Sequence, residues 1–190
     1  MLLTSESILN IPYREVFRMQ YSDKYADMVK SGQIVYEPTT GKFFNKDGKE
    51  RLMKVDHRGY LRFSAGRFGM VIAHRAAWAL HYGEIPKQHV DHIDGDKKNN
   101  RIENLRLCTH NQNQHNQGIR ATNTSGYKGV SFMKAINKWH AQICCNSKVM
   151  HLGSYENKED AAHAYDQAAM KFHGEFAWTN FPRELYSQAA

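Results

Sequence analysis

Asp91 and His92 stand side by side at the close of the short apolar-flanked stretch His-Val-Asp-His. A loop rich in Asp, Gly and Asn follows, then a second short apolar stretch at Leu105-Arg106-Leu107. Thr109 is a suitable N-cap for a helix running toward Gln117. The order is a β-hairpin followed by a helix, and Asn113 sits one turn inside that helix, where its amide oxygen can point back to the hairpin. A carboxylate and an amide oxygen are hard donors suited to Mg²⁺ or a similar cation, which takes its remaining ligands from water and phosphate. His92 titrates near neutrality and is the natural base for a water molecule. These parts describe metal-assisted hydrolysis of a phosphodiester. His110 is the main rival to Asn113 as a ligand, with His89 and His115 also close in sequence. Asp94, Asp96 and Glu103 are expected to face solvent or pair with Lys97, Lys98, Arg101 and Arg106.

The run Asp91-His92, Asn99-Asn100, Glu103-Asn104-Leu105, Thr109 and Asn113 resembles the HNH motif of phage-type homing endonucleases. The upstream pieces Gly59-Tyr60-Leu61-Arg62-Phe63 and His74-Arg75-Ala76-Ala77-Trp78 are similar to the region preceding that motif. The resemblance implies a ββα-metal core using a single divalent ion, Mg²⁺ with Mn²⁺ as a substitute, and leaving 5′-phosphate and 3′-hydroxyl ends. It makes Asp91 the first metal ligand, His92 the general base and Asn113 the second ligand. Asn104 becomes the central asparagine, which braces the hairpin loop and holds the base.

The elements that position these residues read as a β-rich support. Gln33 to Phe68 breaks into short strands, QIVYE, KFFN and GYLRFS, separated by Thr40-Gly41 and Asp47-Gly48 turns. Val71 to Tyr82 changes period: Ala73, Ala76, Ala77, Trp78 and Leu80 suit a buried helix closed by Gly83 and Pro86. His74 and His81 on that helix read as satisfied core or surface histidines. Ser22 could cap a short preceding helix carrying Tyr25, Met28 and Val29.

From Ser125 the pattern is three strands and a helix: 127–134, 138–145 with Trp139, Ala141 and Ile143 on one face, and 148–152. Asn157 and Asp160 form a capping pair before a helix carrying Ala161, Tyr165, Ala168 and Phe172, which Gly174 ends. Between Tyr127 and His151 there are four lysines (Lys128, Lys134, Lys138, Lys148) and no acid; Glu156 to Glu175 holds five acids against two lysines. A nucleic acid should therefore meet the uncovered face of the sheet. Tyr127-Lys128-Gly129-Val130, Lys138-Trp139, His151-Leu152-Gly153, Glu159 to Ala162, Ala164-Tyr165-Asp166 and Asn180-Phe181-Pro182 resemble the DNA-binding domain of plant ethylene-response factors. That resemblance makes Lys128, Ser131, Met133, Gln142, Cys144 and His151 the DNA-facing positions, with Lys138 and Lys148 added by charge. None of them is arginine, unlike the family, which weakens guanine reading.

The whole chain of 190 residues carries a net charge of +7, a balance that favours a polyanionic partner. No apolar run reaches the roughly 20 residues of a membrane span, and no secretory signal is visible, so a cytoplasmic protein without membrane contact is expected. Three cysteines without a CxxC pair make neither a disulfide framework nor a structural zinc site. The expected class is α+β: an N-terminal helical segment (1–32), a nuclease domain (33–117) with its ββα core at 88–117, a linker (118–125), a sheet-type DNA-binding domain (126–183) and a tail (184–190). The expected activity is metal-dependent nicking of double-stranded DNA by a monomer. The alternative is a non-catalytic DNA-binding regulator on a decayed core, against which the presence of Asp91, His92, Asn104 and Asn113 argues. A nuclease directed at RNA or at a particular nucleic-acid structure is a further possibility.

Overall fold

The computed structural model describes residues 24–145 and 148–186; the expected Ser22 cap and the Asn146-Ser147 turn lie outside them. By packing, the chain divides between Cys108 and Thr109 into two compact units. The expected linker at 118–125 falls inside the second of these.

In the first unit, residues 24–31 are helical. Strands β1 (Ile34–Glu37) and β2 (Lys42–Asn45) pair antiparallel. Strands β3 (Lys54–Val55), β4 (Leu61–Ser64) and β5 (Met70–Ile72) form an antiparallel meander. Helix α1 (Ala73–Tyr82) follows β5 without a gap and ends at Gly83 in the left-handed conformation, φ 71°. Ala73, Ala76 and Ala77 on α1 are fully buried, and so small a set of side chains brings the helix backbone close to Phe43, Phe63 and Val71. Phe43 and Phe63 pack with ring centroids 4.5 Å apart, each contributing about 1.5–3 kcal/mol by burial. This core carries the hairpin β6 (His89–His92) and β7 (Leu105–Cys108) through Val90 and Leu105. Strands β3 and β5, two and three residues long, lack the alternation by which β1, β2 and β4 are read from sequence.

In the second unit, helix α2 (His110–Asn116) starts with a capping box: the Thr109 hydroxyl accepts from the Gln112 amide, and the Gln112 side chain accepts from the Thr109 amide. Strands β8 (Val130–Met133), β9 (Lys138–Cys145) and β10 (Lys148–Tyr155) form an antiparallel sheet with β9 in the centre. Helix α3 (Lys158–His173) lays Ala161, Ala162, Tyr165 and Ala169 against Val130, Ala141 and Ile143. The mixed class and the three-stranded sheet on one helix are as the sequence implies.

Two boundaries and one cap differ from expectation, each for a local reason. Strand β8 begins at Val130 rather than Tyr127, because Ser125 Oγ binds the carbonyls of Tyr127 and Val130 and the Asn180 side chain accepts from the Lys128 amide. Gly129 beside it has φ 76°, and a Cβ there would lie 1.9 Å from Tyr165 Cδ2, so the close approach of β8 to α3 requires glycine. Strand β10 continues to Tyr155 through an irregularity between His151 and Gly153. At α3, the Asn157 side chain donates to the Asp160 carboxylate at 3.3 Å instead of capping the backbone.

Candidate active site and nucleic-acid interface

The β6–β7 hairpin pairs Asp91 with Arg106 and His92 with Leu105. Adjacent strand residues project to opposite sides, and here both sides are covered: Asp91 is 7% exposed and His92 3%. The Arg106 guanidinium donates through Nε and Nη2 to Asp91 Oδ2, both at 3.1 Å. Arg106 is thus the partner of Asp91, rather than of the loop carboxylates with which the sequence pairs it.

The loop between the strands is held by Asn104. Its Nδ2 donates to Asp94 Oδ1 and to the Asn99 carbonyl, each at 2.9 Å, and its Oδ1 accepts from the Asp94 amide at 3.0 Å. Asp94 also accepts from the Asn99 side chain at 2.7 Å. Burial pushes the Asp94 carboxyl upward, but the bonds from Asn99 and Asn104 outweigh it and hold the group below the usual carboxylate range. Asp94 is exposed, as the sequence implies, and its carboxylate also braces the loop.

The side chain that touches His92 is a different asparagine. Asn100, 2% exposed, places its Oδ1 3.2 Å from His92 Nε2. The first unit supports it from below: the Tyr36 hydroxyl donates to the Asn100 carbonyl at 2.7 Å, and the Ile102 amide to the Pro38 carbonyl at 3.1 Å. The rings of His74 and Tyr60 complete the wall, with centroids 5.0 and 6.0 Å from that of His92. Burial lowers the His92 imidazole from its ordinary value, against the opposing pull of Asn100 and the nearby carboxylates. The neutral ring that a base requires is favoured near pH 7.

His74 is buried, and its Nδ1 has no hydrogen-bond partner among the described residues, so it is not the satisfied histidine that its helical position suggests. Burial pushes its imidazole down to about 3, with His92 and Arg75 adding to the shift. In the unfolded chain the same group takes a proton near pH 6.5. Its neutral burial therefore leaves stability intact above pH 6.5 and erodes it as pH falls toward 3. Urea denaturation of the full chain should show a loss on the order of 2–3 kcal/mol between pH 7 and pH 4.5. A His74→Phe variant should show a clearly flatter profile; an unchanged slope would mean that another group titrates.

Asn113 stands on α2 in the second unit, half-buried, with its amide bonded to the Thr109 carbonyl at 3.1 Å. Of the expected DNA-facing residues, the sheet register puts Ser131, Met133, Lys138, Gln142, Cys144 and His151 in one outward row. His140, absent from the expected set, belongs to the same row and stacks on His151 with centroids 4.0 Å apart; strict alternation from Gln142 would have found it. Lys138 is engaged by Glu156 at 2.9 Å. Lys148 lies opposite Cys145 and so falls on the alternate side.

Lys128 corrects the expectation most clearly. Its ammonium turns inward to the His115 carbonyl at 2.7 Å and the Gln117 carbonyl, closing the C-terminal end of α2, with the Trp178 ring 5.7 Å away. Burial lowers it to about 8, with Arg120 adding to the shift. Stacking of His115 on His173, 3.7 Å between centroids, ties the same helix end to α3. Among the described residues no group of three or more His, Cys, Asp or Glu side chains gathers as a metal site. The donors expected from the sequence, the Asp91 carboxylate and the Asn113 amide oxygen, are hard oxygens of the kind a cation such as Mg²⁺ takes. Among the same residues, no helix is long and apolar enough to cross a membrane.

Comparison with known proteins separates the two parts. Residues 71–115 match the family model described as HNH endonuclease, and residues 125–175 match the AP2 domain. Protein 3.8 of Escherichia phage T7 is 34% identical over 105 residues, which are 55% of this chain and 86% of that protein. An HNH endonuclease of Acanthamoeba polyphaga mimivirus is 35% identical over 114 residues, 59% of this chain and 58% of the relative. An ethylene-responsive transcription factor of Medicago truncatula is 41% identical over 73 residues, 37% of this chain and 30% of the plant protein. A solved structure of DNA binding and cleavage by the HNH homing endonuclease I-HmuI is 25% identical, with 75% of this chain and 86% of that one covered. Its TM-score of 0.39 is too loose for residue correspondences.

Proposed function

Because this chain belongs to the HNH endonuclease family and carries an AP2 domain behind its nuclease motif, we propose that it nicks duplex DNA with His92 as general base and one divalent cation held by Asp91 and Asn113. The observation that carries this reading is the Asp91–His92 pair on β6: a buried carboxylate oriented by Arg106 beside a buried imidazole kept largely neutral. His92 takes the proton of the attacking water. Arg106 orients the buried Asp91 carboxylate, and Asn104 fixes the loop that closes the hairpin. When bound, the cation, Mg²⁺ or Mn²⁺, supplies charge stabilisation at the leaving oxygen. The outward row of the sheet, with His140 added and Lys128 removed, meets the duplex. One such site per chain favours a nick by a monomer. A phage-type homing role in a host cytoplasm is the biological setting that agrees with this chemistry.

The test is a supercoiled plasmid bearing sequence from the source genome, incubated with the full chain and Mg²⁺. Relaxed circles with 5′-phosphate ends should accumulate before linear DNA, and a chelator should stop the reaction. Asp91→Asn should lower cleavage and leave binding intact. Retained binding with no cleavage under any divalent cation would favour the regulator reading.

A further inference from the structure

Asn104, to which the resemblance gives both the bracing of the loop and the holding of the base, spends its amide on Asp94 and the Asn99 carbonyl. Asn100 stands against the base itself, with Oδ1 3.2 Å from His92 Nε2. We infer that Asn100 is a positioning residue that fixes the tautomer of His92, holding the proton on Nε2 and leaving the lone pair on Nδ1. This rests on the base role proposed for His92 and names the residue that prepares it.

The direction of the bond follows from the other end of the amide. Asn100 Nδ2 donates to the Lys98 carbonyl at 3.2 Å, so the oxygen must face the ring. An amide oxygen only accepts, and the ring nitrogen opposite it must therefore carry the hydrogen. A neutral imidazole protonated on Nε2 has its basic lone pair on Nδ1. Reversal of the ring is opposed by its walls: the His74 ring stands at 73° to it and the Tyr60 ring at 32°. Asn100 is itself anchored by the Tyr36 hydroxyl on its carbonyl. Gly41 of the β1–β2 turn lies under its backbone, where a Cβ would come within 2.7 Å of the Asn100 carbonyl carbon. The hairpin of the support region thus fixes the side chain that fixes the base.

The experiment uses the full chain labelled with ¹⁵N-histidine, the His92 ring signals being assigned by their loss in His92→Ala, together with single-turnover cleavage of plasmid DNA. Native protein should show His92 as the Nε2-protonated tautomer. Asn100→Ala should give a mixture of tautomers and slow cleavage about 10–100-fold with duplex affinity unchanged. Asn100→Asp keeps an acceptor in place and should restore most of both. If Asn100→Ala does not fold, Tyr36→Phe makes the same comparison by loosening Asn100 without touching the ring, with a smaller loss in both readouts. An unchanged tautomer and rate in the folded variant, with His92→Ala inactive, would overturn the role of Asn100 alone. An active His92→Ala would instead overturn the base reading on which it rests.

Discussion

Replacing His92 with alanine should slow single-turnover DNA cleavage by about 10²–10⁴-fold and leave duplex affinity within about twofold of the parent. The rate loss follows from the part His92 is proposed to play. A general base acts only as the proton leaves water in the transition state, so its removal lowers turnover and not binding. The unchanged affinity follows from where the residue lies. At 3% exposure, among Asn100, His74 and Tyr60, His92 offers little surface to a duplex, whereas the outward row of the β8–β10 sheet is built in the other unit. The regulator reading expects no metal-dependent cleavage in either protein. A variant that loses binding and cleavage together would show that His92 supports the first unit and does not act on water. The fold is exposed to that outcome, since the ring fills space beside His74, whose Nδ1 has no hydrogen-bond partner among the described residues. His92→Gln, which preserves more of the volume, separates the two cases: it too should be inactive, yet bind and melt like the parent.

What could be read from the sequence is what depends on near neighbours along the chain. Thr109 as a helix cap and the alternation of Trp139, Ala141 and Ile143 as a strand are each declared within a few residues. What stayed hidden depends on who arrives from elsewhere. His74 reaches His92 from a helix 18 positions upstream, a separation at which periodicity says only that a face is buried. That Asn100 rather than Asn104 stands against the His92 ring was hidden for a subtler reason. Both lie in one polar loop, and spacing cannot tell which amide turns toward the ring and which toward the loop backbone. Lys128 departs from the position the resemblance implies because it precedes β8 and its long stem lets the ammonium reach the carbonyls that close the end of α2. Lys148 misled by parity alone, since the register opposite Cys145 decides its side.

The second large effect is expected at Asp166, which no catalytic argument touches. Its side chain is fully buried and accepts four hydrogen bonds. Oδ1 receives the Asn180 amide and side chain at 2.8 and 3.0 Å; Oδ2 receives the Phe181 amide and the Tyr186 hydroxyl, each at 2.9 Å. Asn180 in turn bonds both the amide and the carbonyl of Lys128, which leads into β8. The carboxylate is therefore the point through which the segment after α3 is fastened to the sheet. Asp166→Ala leaves four donors to find new partners in a space that excludes water, at a cost of about 3–5 kcal/mol. Asp166→Asn keeps the shape but turns an NH₂ toward one pair of donors, so it should recover only part of that loss. Tyr186→Phe removes the hydroxyl's bonds to Asp166 and to His163 Nδ1 and should cost about 1–2 kcal/mol. Urea denaturation of the full chain with Trp78 replaced by Phe, followed by the fluorescence of Trp139 and Trp178, measures all three. A loss below about 1 kcal/mol in Asp166→Ala would mean that the segment is held by other contacts, such as the stacking of His163 on Phe181. With the expected loss, DNA affinity should fall with the folded fraction of the second unit and recover when temperature is lowered, since the outward row of the sheet is itself untouched by the change.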